Sequence, residues 1–274
     1  MTSTPGRHLE NGQPVPLWPE GTPGLDSAIP AEVPTIVPYV LEAKEPHGAV
    51  IVCPGGGYSG RAPHEGEPIA RMLNSAGISA FICHYRVSPY RHPYPLMDAQ
   101  RAIRWVRHHA KEWRIDASKI GILGFSAGGH LVSTAGTHYD AGDPDAQDPI
   151  DRQSCRPDAL VLCYAVISFG PLGHQGSMVN LLGEDPPEDL RHSLCNESQV
   201  TEDTPPSFLW HTADDAGVPV QNSLLFADAL TRFGVPFELH VYESGRHGLG
   251  LASEDPHIAT WAQLCAEWLR GRGF

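Results

Sequence analysis

A serine set between glycines is the first feature of this chain that could do chemistry. The segment Gly124-Phe125-Ser126-Ala127-Gly128 fits the pattern G-x-S-x-G. The apolar run 120–125 is typical of a buried parallel strand, and the small residues 131–136 are typical of a buried helix. A strand, a sharp turn and a helix are the setting in which such a serine acts as a nucleophile, beside helix amides that can stabilise a negative oxygen. The competing interpretation is a glycine-rich turn that fits the pattern by chance.

A serine hydroxyl becomes reactive when a base removes its proton and a third group orients that base. When the serine lies on a strand-to-helix turn, the acid and then the histidine follow it along the chain. Asp214 and Asp215 both stand just after a later apolar strand, and spacing alone does not separate them. His247 lies in a glycine-flanked loop after the last predicted strand. Because the chain has 15 histidines, the position of His247, rather than its residue type, makes it the candidate base.

Three consecutive glycines follow the predicted strand 48–53, at positions 55–57. Glycines leave the backbone amides open to the close approach of a ligand. Beside a reactive serine, such a loop is the expected source of a second hydrogen-bond donor to an oxyanion. A flexible turn without a function is the alternative interpretation.

Composition narrows the class of protein. The 274 residues are 41% hydrophobic and 19% charged, which suits an ordinary globular protein with one large α/β domain or two small ones. The net charge of −13 argues against nucleic acid or an anionic membrane as the main partner and favours a neutral or weakly charged substrate. No apolar run is long enough to span a bilayer, and the first residues lack the pattern of a signal peptide, so we expect a cytoplasmic protein unless a leader has been trimmed.

Neither the cysteines nor the acidic residues indicate a metal site. The six cysteines show no C-x-x-C and no zinc spacing, and we expect free buried thiols. The segment 139–156 carries five aspartates, but it lacks the glycine and the closing glutamate of a calcium-binding loop. It also follows a helix, which places it at the sheet edge away from the serine, so a solvated loop is expected.

Strands and helices alternate along the chain, which predicts a mostly parallel twisted sheet with helices on both faces. We predict an extended N-terminal arm over residues 1–30 and a single catalytic domain over 31–274. The proline-containing segment 33–41 reads as an edge strand, and the irregular segment 168–206 as a partial lid over the active-site face. Strands are further predicted at 78–85, 159–166, 207–211 and 236–243, and helices at 65–76, 96–113, 220–233 and 256–270.

Segments along nearly the whole chain resemble the α/β-hydrolase superfamily, and within it the acetyl esterase and acetylxylan or feruloyl esterase-like (BD-FAE-like) group. The segments that carry the resemblance are Leu17-Trp18-Pro19-Glu20-Gly21, Cys53-Pro54-Gly55-Gly56-Gly57-Tyr58, Tyr94-Pro95, residues 98–106, residues 124–130, His211-Thr212-Ala213-Asp214-Asp215 with Val218-Pro219, and Gly245-Arg246-His247-Gly248.

The resemblance implies a Ser-His-Asp mechanism with Ser126 as nucleophile and His247 as general base and acid. It implies Asp215 as the orienting acid, because the family's aspartate is followed, after two residues, by Val-Pro. It also implies an oxyanion hole formed by the amides of Gly56, Gly57 and Ala127. Tyr58 and His130 are the substrate-binding candidates. Four further residues could also bind a sugar hydroxyl or a short acyl group, and each of the six could equally pack in the wall. These four are His64, Arg86, Tyr90 and Phe169.

The implied activity is hydrolysis of short acyl esters, acetate above all, on carbohydrates or simple alcohols, without a metal or organic cofactor. The substrate would be a small-molecule or oligosaccharide ester, and the oligomeric state, including a homo-oligomer, stays open. Pro54 and Phe125 replace a histidine and an aspartate of related lipases, which argues against a hormone-sensitive-lipase type. The alternatives are a feruloyl esterase, a lipase or peptidase with the same triad, and a non-catalytic binding protein on this scaffold.

Overall fold

An eight-stranded sheet forms the centre of the computed structural model, which describes residues 9–26, 28–29 and 33–274. The strand order is β1-β2-β4-β3-β5-β6-β7-β8. The strands are β1 (Val15–Pro16), β2 (Thr35–Tyr39), β3 (His47–Cys53), β4 (Ser79–His84), β5 (Ile115–Phe125), β6 (Ala159–Cys163), β7 (Ser207–Thr212) and β8 (Phe237–Tyr242). The helices are α1 (Glu67–Ser75), α2 (Tyr94–His109), α3 (Ser126–Thr137), α4 (Gln175–Leu182), α5 (Glu188–Ser193), α6 (Gln221–Arg232) and α7 (Thr260–Gly271).

Strands β3 to β8 run parallel, and among the described strands β1 and β2 are the ones that pair antiparallel, β1 with β2 and β2 with β4. Alternate residues of each parallel strand enter two separate cores. In β3, Ile51 belongs to the core that contains residues of α2, α3 and α6, whereas Val50 belongs to the core on the other face, which contains residues of α1 and α7. This burial on both faces explains the continuous apolar runs of the sequence and confirms the predicted fold class.

The segment predicted as an edge strand is not at the edge of the sheet. β2 lies between β4 and the two-residue strand β1, which pairs with Ile36 and Thr35. The missed strand lies in the segment predicted as an irregular arm. At two residues, β1 is too short to show a periodicity in the sequence. It pairs only with the first residues of β2, so Pro38 has no strand partner on that side among the described residues.

Side chains of α2 and of the loop before it hold the N-terminal segment on the domain. Arg86, fully buried, forms a two-pronged ion pair with Asp98 and donates to the carbonyl of Pro23. Tyr90 accepts a hydrogen bond from the amide of Asp26, and Leu17 is fully buried. Residues 1–8 of the predicted arm and the predicted boundary at residue 30 lie outside the described residues.

The acidic segment 139–156 is used in ion pairs with α2. Arg101 contacts Asp148 and Asp151, and Arg104 contacts Asp140. Most residues of the segment are exposed or half-buried, in keeping with the solvated loop expected from the sequence, and these ion pairs fix the loop on α2. Within the described ranges, we find neither a group of three metal-ligating side chains nor a helix with the length and apolar character needed to cross a bilayer.

Candidate active site

The turn between β5 and α3 places Ser126 at the carboxyl end of the sheet. Ser126 has φ +52°, a conformation that L-residues rarely adopt. Close packing holds the turn, because a side chain on Gly128 would overlap the backbone of Cys53 and Pro54, and one on Gly124 would overlap Gly128. The strained backbone at Ser126 is therefore fixed by contacts that exclude larger residues on either side.

His247 connects Ser126 to Asp215. Its Nδ1 lies 2.7 Å from Asp215 Oδ2, and its Nε2 lies 2.7 Å from Ser126 Oγ. Because a carboxylate only accepts, the proton of the neutral ring is on Nδ1, and Nε2 is left to accept from the serine hydroxyl. Residues that are 121 and 32 positions apart in the chain thus form one hydrogen-bonded series.

The pKa of Asp215 is held well below its usual value. Burial alone would raise this pKa, but hydrogen bonds from His211, from His247 and from the amide of Val218 outweigh that effect. The amide of Gly217 donates to the same carboxylate, at 2.8 Å from Oδ1. Asp215 is therefore a fixed negative charge that can orient His247 and stabilise its protonated form.

Asp214 has a separate role in the same loop. Its Oδ1 accepts from the amide of Gly245 and its Oδ2 from the hydroxyl of Ser244, at 2.7 and 2.6 Å. Both contacts lie in residues 244–250, which we call the histidine loop. Asp214 anchors that loop and Asp215 contacts the imidazole, a distinction that sequence spacing left open.

The glycine loop, which we define as residues 54–60, lies beside the serine. A side chain on Gly55 would lie 2.7 Å from the carbonyl oxygen of Phe125 and 3.0 Å from Ser126 Cβ. Gly56 and Gly57 have φ +136° and +63°, and their amides donate to no acceptor in the described part of the chain. Ala127 is the second residue of α3, so its amide also lacks an intrahelical acceptor. These are the three residues whose amides the sequence analysis assigned to an oxyanion hole.

Tyr58 and His130, the predicted substrate-binding residues, are both buried, which argues against a direct contact of either side chain with substrate. Tyr58 is 1% exposed and His130 is fully buried. His130 Nε2 donates to the carbonyl of Leu194, and its Nδ1 accepts from the hydroxyl of Tyr58. The two side chains satisfy each other and stabilise the junction of the glycine loop, α3 and the segment 168–206. Of the other wall candidates, Phe169 stacks on His130.

The segment 168–206 is anchored on both sides of the site. Asn180 on α4 donates to the carbonyl of Gly57, and Asn222, in the first turn of α6, donates to the carbonyl of Leu172. His174 lies between these anchors and was missed from sequence. Burial and the proximity of His247 lower the pKa of His174, and its Nδ1 accepts from the amide of Ser177. Its neutral ring therefore carries its proton on Nε2, and its electrostatic interactions with His247 and Asp215 indicate that it lies near the site.

Glu65 and Tyr164 were also missed. Glu65 is 2% exposed, and its two oxygens accept from the amide of Gly55 and from the hydroxyl of Tyr164. The ring of Tyr164 meets the imidazole of His247 edge to face, with centroids 5.0 Å apart. A glutamate two residues before an amphipathic helix and a tyrosine at a strand end carry no sequence signal for such contacts.

The family model BD-FAE matches residues 39–230. The chain belongs to the BD-FAE family. The crystal structure of an acetyl ester-xyloside bifunctional hydrolase from Caldicellulosiruptor lactoaceticus is 53% identical, with a TM-score of 0.95 over 98% of this chain and 99% of that one. This BD-FAE chain therefore has the α/β-hydrolase fold.

Two curated relatives are longer proteins. Endo-1,4-beta-xylanase B of Butyrivibrio fibrisolvens is 35% identical over 90% of this chain and 39% of its own length. An acetylxylan esterase of Xylanibacter ruminicola is 33% identical over 83% of this chain and 46% of its own length. The chain thus spans less than half the length of these curated relatives.

The two neighbouring aspartates predict unequal losses of activity. We expect Asp215→Asn to lower kcat by about 10³- to 10⁴-fold, because the imidazole loses its orienting charge. Asp214→Asn keeps an oxygen for the amide of Gly245 and should stay within about fivefold of the wild-type value. Initial rates with an aryl acetate measure both, and a larger loss in Asp214→Asn would contradict the assignment of the acid.

His130 predicts a pH dependence of stability. Burial lowers the pKa of His130 from 6.5 to about 4. Below pH 6.5 the unfolded chain binds a proton that the folded chain refuses, so stability falls from pH 6.5 down to about pH 4. This group should lower the free energy of unfolding by about 3 kcal/mol between pH 7 and pH 4. Urea unfolding of wild type and His130→Gln measures it, since the stability difference should shift by that amount. An unchanged difference across the pH range would contradict the prediction.

Proposed function

We propose that this protein is a serine ester hydrolase that releases short acyl groups, acetyl above all, from carbohydrate esters. The observation that carries the proposal is the hydrogen-bonded series from Asp215 through His247 to Ser126, with both contacts at 2.7 Å. The printed names of the acetylxylan esterase and of the acetyl ester-xyloside hydrolase support the acetyl group and the sugar.

The reaction would proceed through an acyl-enzyme. Ser126 Oγ attacks the ester carbonyl carbon while its proton passes to His247 Nε2, and the bond to the alcohol oxygen breaks as His247 returns that proton to the leaving alcohol. A water molecule then attacks the acyl carbon, with His247 again taking the proton, and Ser126 is released with its hydrogen. No step needs a metal or organic cofactor.

Amide donors at two places would stabilise the negative oxygen of each tetrahedral intermediate. The first is Ala127 at the N-terminus of α3, where the helix dipole adds to the hydrogen bond. The second is the glycine loop at Gly56 and Gly57. One such donor lowers the barrier by about 3–4 kcal/mol in serine hydrolases.

His174 is the side chain that we assign to the alcohol part of the ester. Its Nε2–H is a neutral donor between the two anchors of the segment 168–206, and it suits a sugar hydroxyl oxygen. A donor to oxygen in this wall favours carbohydrate esters over the long apolar chains of lipids.

Hydrolysis of the ester, rather than of the xyloside bond, is the reaction that the carboxylates of this site support. Glycoside hydrolysis generally uses two carboxyl groups about 5–10 Å apart, one of them free to protonate the leaving oxygen. In the described residues, the carboxylates connected to this site by hydrogen bonds include Asp215, Glu65 and Asp214. Each of them already accepts at least two hydrogen bonds.

A panel of esters tests the proposal. Wild type should hydrolyse p-nitrophenyl acetate and acetylated xylose faster than butyrate, octanoate or feruloyl esters, and an aryl xyloside should stay intact. Ser126→Ala should lower kcat by about 10⁴-fold or more, while Ser133→Ala, on the same helix, serves as the matched control.

Three outcomes of the panel would overturn parts of the proposal. Equal rates for wild type and Ser126→Ala would exclude serine catalysis and favour a binding protein on this scaffold. A preference for octanoate would indicate a lipase instead of an acetyl esterase. A preference for the feruloyl ester would move the substrate to aromatic acyl groups.

A further inference from the structure

Two loops that both contact Ser126 supply different parts of the chemistry. The glycine loop carries amides for the oxyanion, and the histidine loop carries the base. Gly55, at the start of one, and Gly250, at the end of the other, are 195 positions apart in the chain. Contacts elsewhere must fix the position of both loops relative to Ser126, because a misplacement of about 1 Å can lower the rate 10²-fold.

A buried carboxylate contacts the first loop directly. Glu65 Oε2 accepts from the amide of Gly55 at 2.7 Å, one residue before the proposed oxyanion donors. The Glu65 side chain is 3% exposed, although no lysine or arginine pairs with it among the described contacts. A buried carboxylate is costly unless hydrogen bonds satisfy it, so its place here indicates a specific task.

The other oxygen of Glu65 leads to the second loop. Tyr164 donates its hydroxyl proton to Glu65 Oε1 at 2.6 Å and accepts from the amide of Gly250 at 2.9 Å. His64, next to Glu65 in the chain, adds a contact from its Nε2 to the carbonyl of Gly248 at 3.1 Å. The series Gly55–Glu65–Tyr164–Gly250 therefore joins the two loops through buried hydrogen bonds.

Tyr164 also contacts the base itself. Its ring packs edge to face on His247 and on Trp210, with centroids 5.0 Å apart in each case. Its backbone has φ +36°, which is rare for a bulky residue and is kept only where surrounding contacts enforce it. The strain brings the tyrosine from the end of β6 to the point where Glu65, Gly250 and His247 meet.

We propose that Glu65 and Tyr164 are positioning residues that hold the oxyanion amides and the imidazole of His247 in one arrangement around Ser126. The inference rests on the proposed esterase function and assigns to that site a connection between its two halves. Neither side chain touches substrate or exchanges a proton with it.

Steady-state kinetics with p-nitrophenyl acetate test the assignment. We expect Glu65→Gln and Tyr164→Phe each to lower kcat by about 10- to 100-fold and to change KM by less than about threefold. The expected loss is in kcat because misaligned loops weaken contacts to the oxyanion and to the transferred proton, which form in the transition state. The losses in the double variant should be smaller than the product of the single losses, because both residues act through one series.

Tyr242→Phe is the matched control. Tyr242 is also buried, hydrogen-bonds Thr260 through its hydroxyl and packs edge-on against Trp210. Among the hydrogen bonds and ring contacts of the described residues, its side chain reaches neither loop. The Tyr242→Phe variant should lose as much thermal stability as Tyr164→Phe and keep kcat within about twofold of wild type. If Tyr164→Phe and Glu65→Gln lose only stability, as the control does, then their role is structural and the proposal is wrong.

Failure of this inference can be told apart from failure of the esterase function. Wild-type protein that does not hydrolyse the acetate contradicts the esterase function. In that case the rate at which phenylmethanesulfonyl fluoride modifies Ser126 replaces ester hydrolysis as the readout, since this modification needs the same base and the same oxyanion donors. An unchanged rate in both variants overturns the inference whatever the natural substrate is. If Tyr164→Phe fails to fold, Glu65→Gln, which keeps the size of the side chain and one acceptor, decides alone.

Discussion

The backbone at Ser126 is the constraint on which the rest of the site depends. A left-handed serine between a strand and a helix is unfavourable by itself, and it persists because α3 packs against β3 and β5 with no room for side chains at Gly124 and Gly128. This packing makes the first amides of α3 and the hydroxyl of Ser126 neighbours at one rim of the sheet. The strain at the serine is thus maintained by the close packing of α3 on the sheet.

Charge and burial are arranged around that serine to keep each group in one protonation state. Asp215 stays ionised because hydrogen-bond donors outweigh its burial. His130 stays neutral because burial lowers its pKa to about 4, and the same neutrality lets its Nδ1 accept from Tyr58. His247, the proposed base, is the member of this group that keeps partial exposure, at 27% of its side chain, which suits a residue proposed to exchange protons with substrate and water.

The sequence was sufficient for the fold and for the triad candidates, since both leave patterns along the chain. Apolar runs on strands buried on both faces, helical periodicity and the G-x-S-x-G pattern between a strand and a helix predicted the parallel sheet and Ser126. Spacing could not separate Asp214 from Asp215, because both lie in one turn and only their three-dimensional contacts with Gly245 and His247 differ. The strand β1 was missed because two residues carry no periodicity, and its presence moves β2 away from the edge.

The sequence was least informative for residues whose role depends on the direction in which the folded chain points their side chains. Tyr58 and His130 flank the two predicted catalytic motifs, so their positions suggested contact with substrate, yet their side chains point into the core and bond each other. Glu65 and His174 lie in segments without a motif, and only folding brings them to the site.

The most direct test is the identity of the residue that becomes covalently modified. Intact mass and peptide mapping after treatment with phenylmethanesulfonyl fluoride should show one sulfonyl group per chain, on the peptide that contains Ser126, and His247→Gln should slow the modification by orders of magnitude. A modified residue elsewhere, or an unreactive Ser126 in folded protein, would contradict the account.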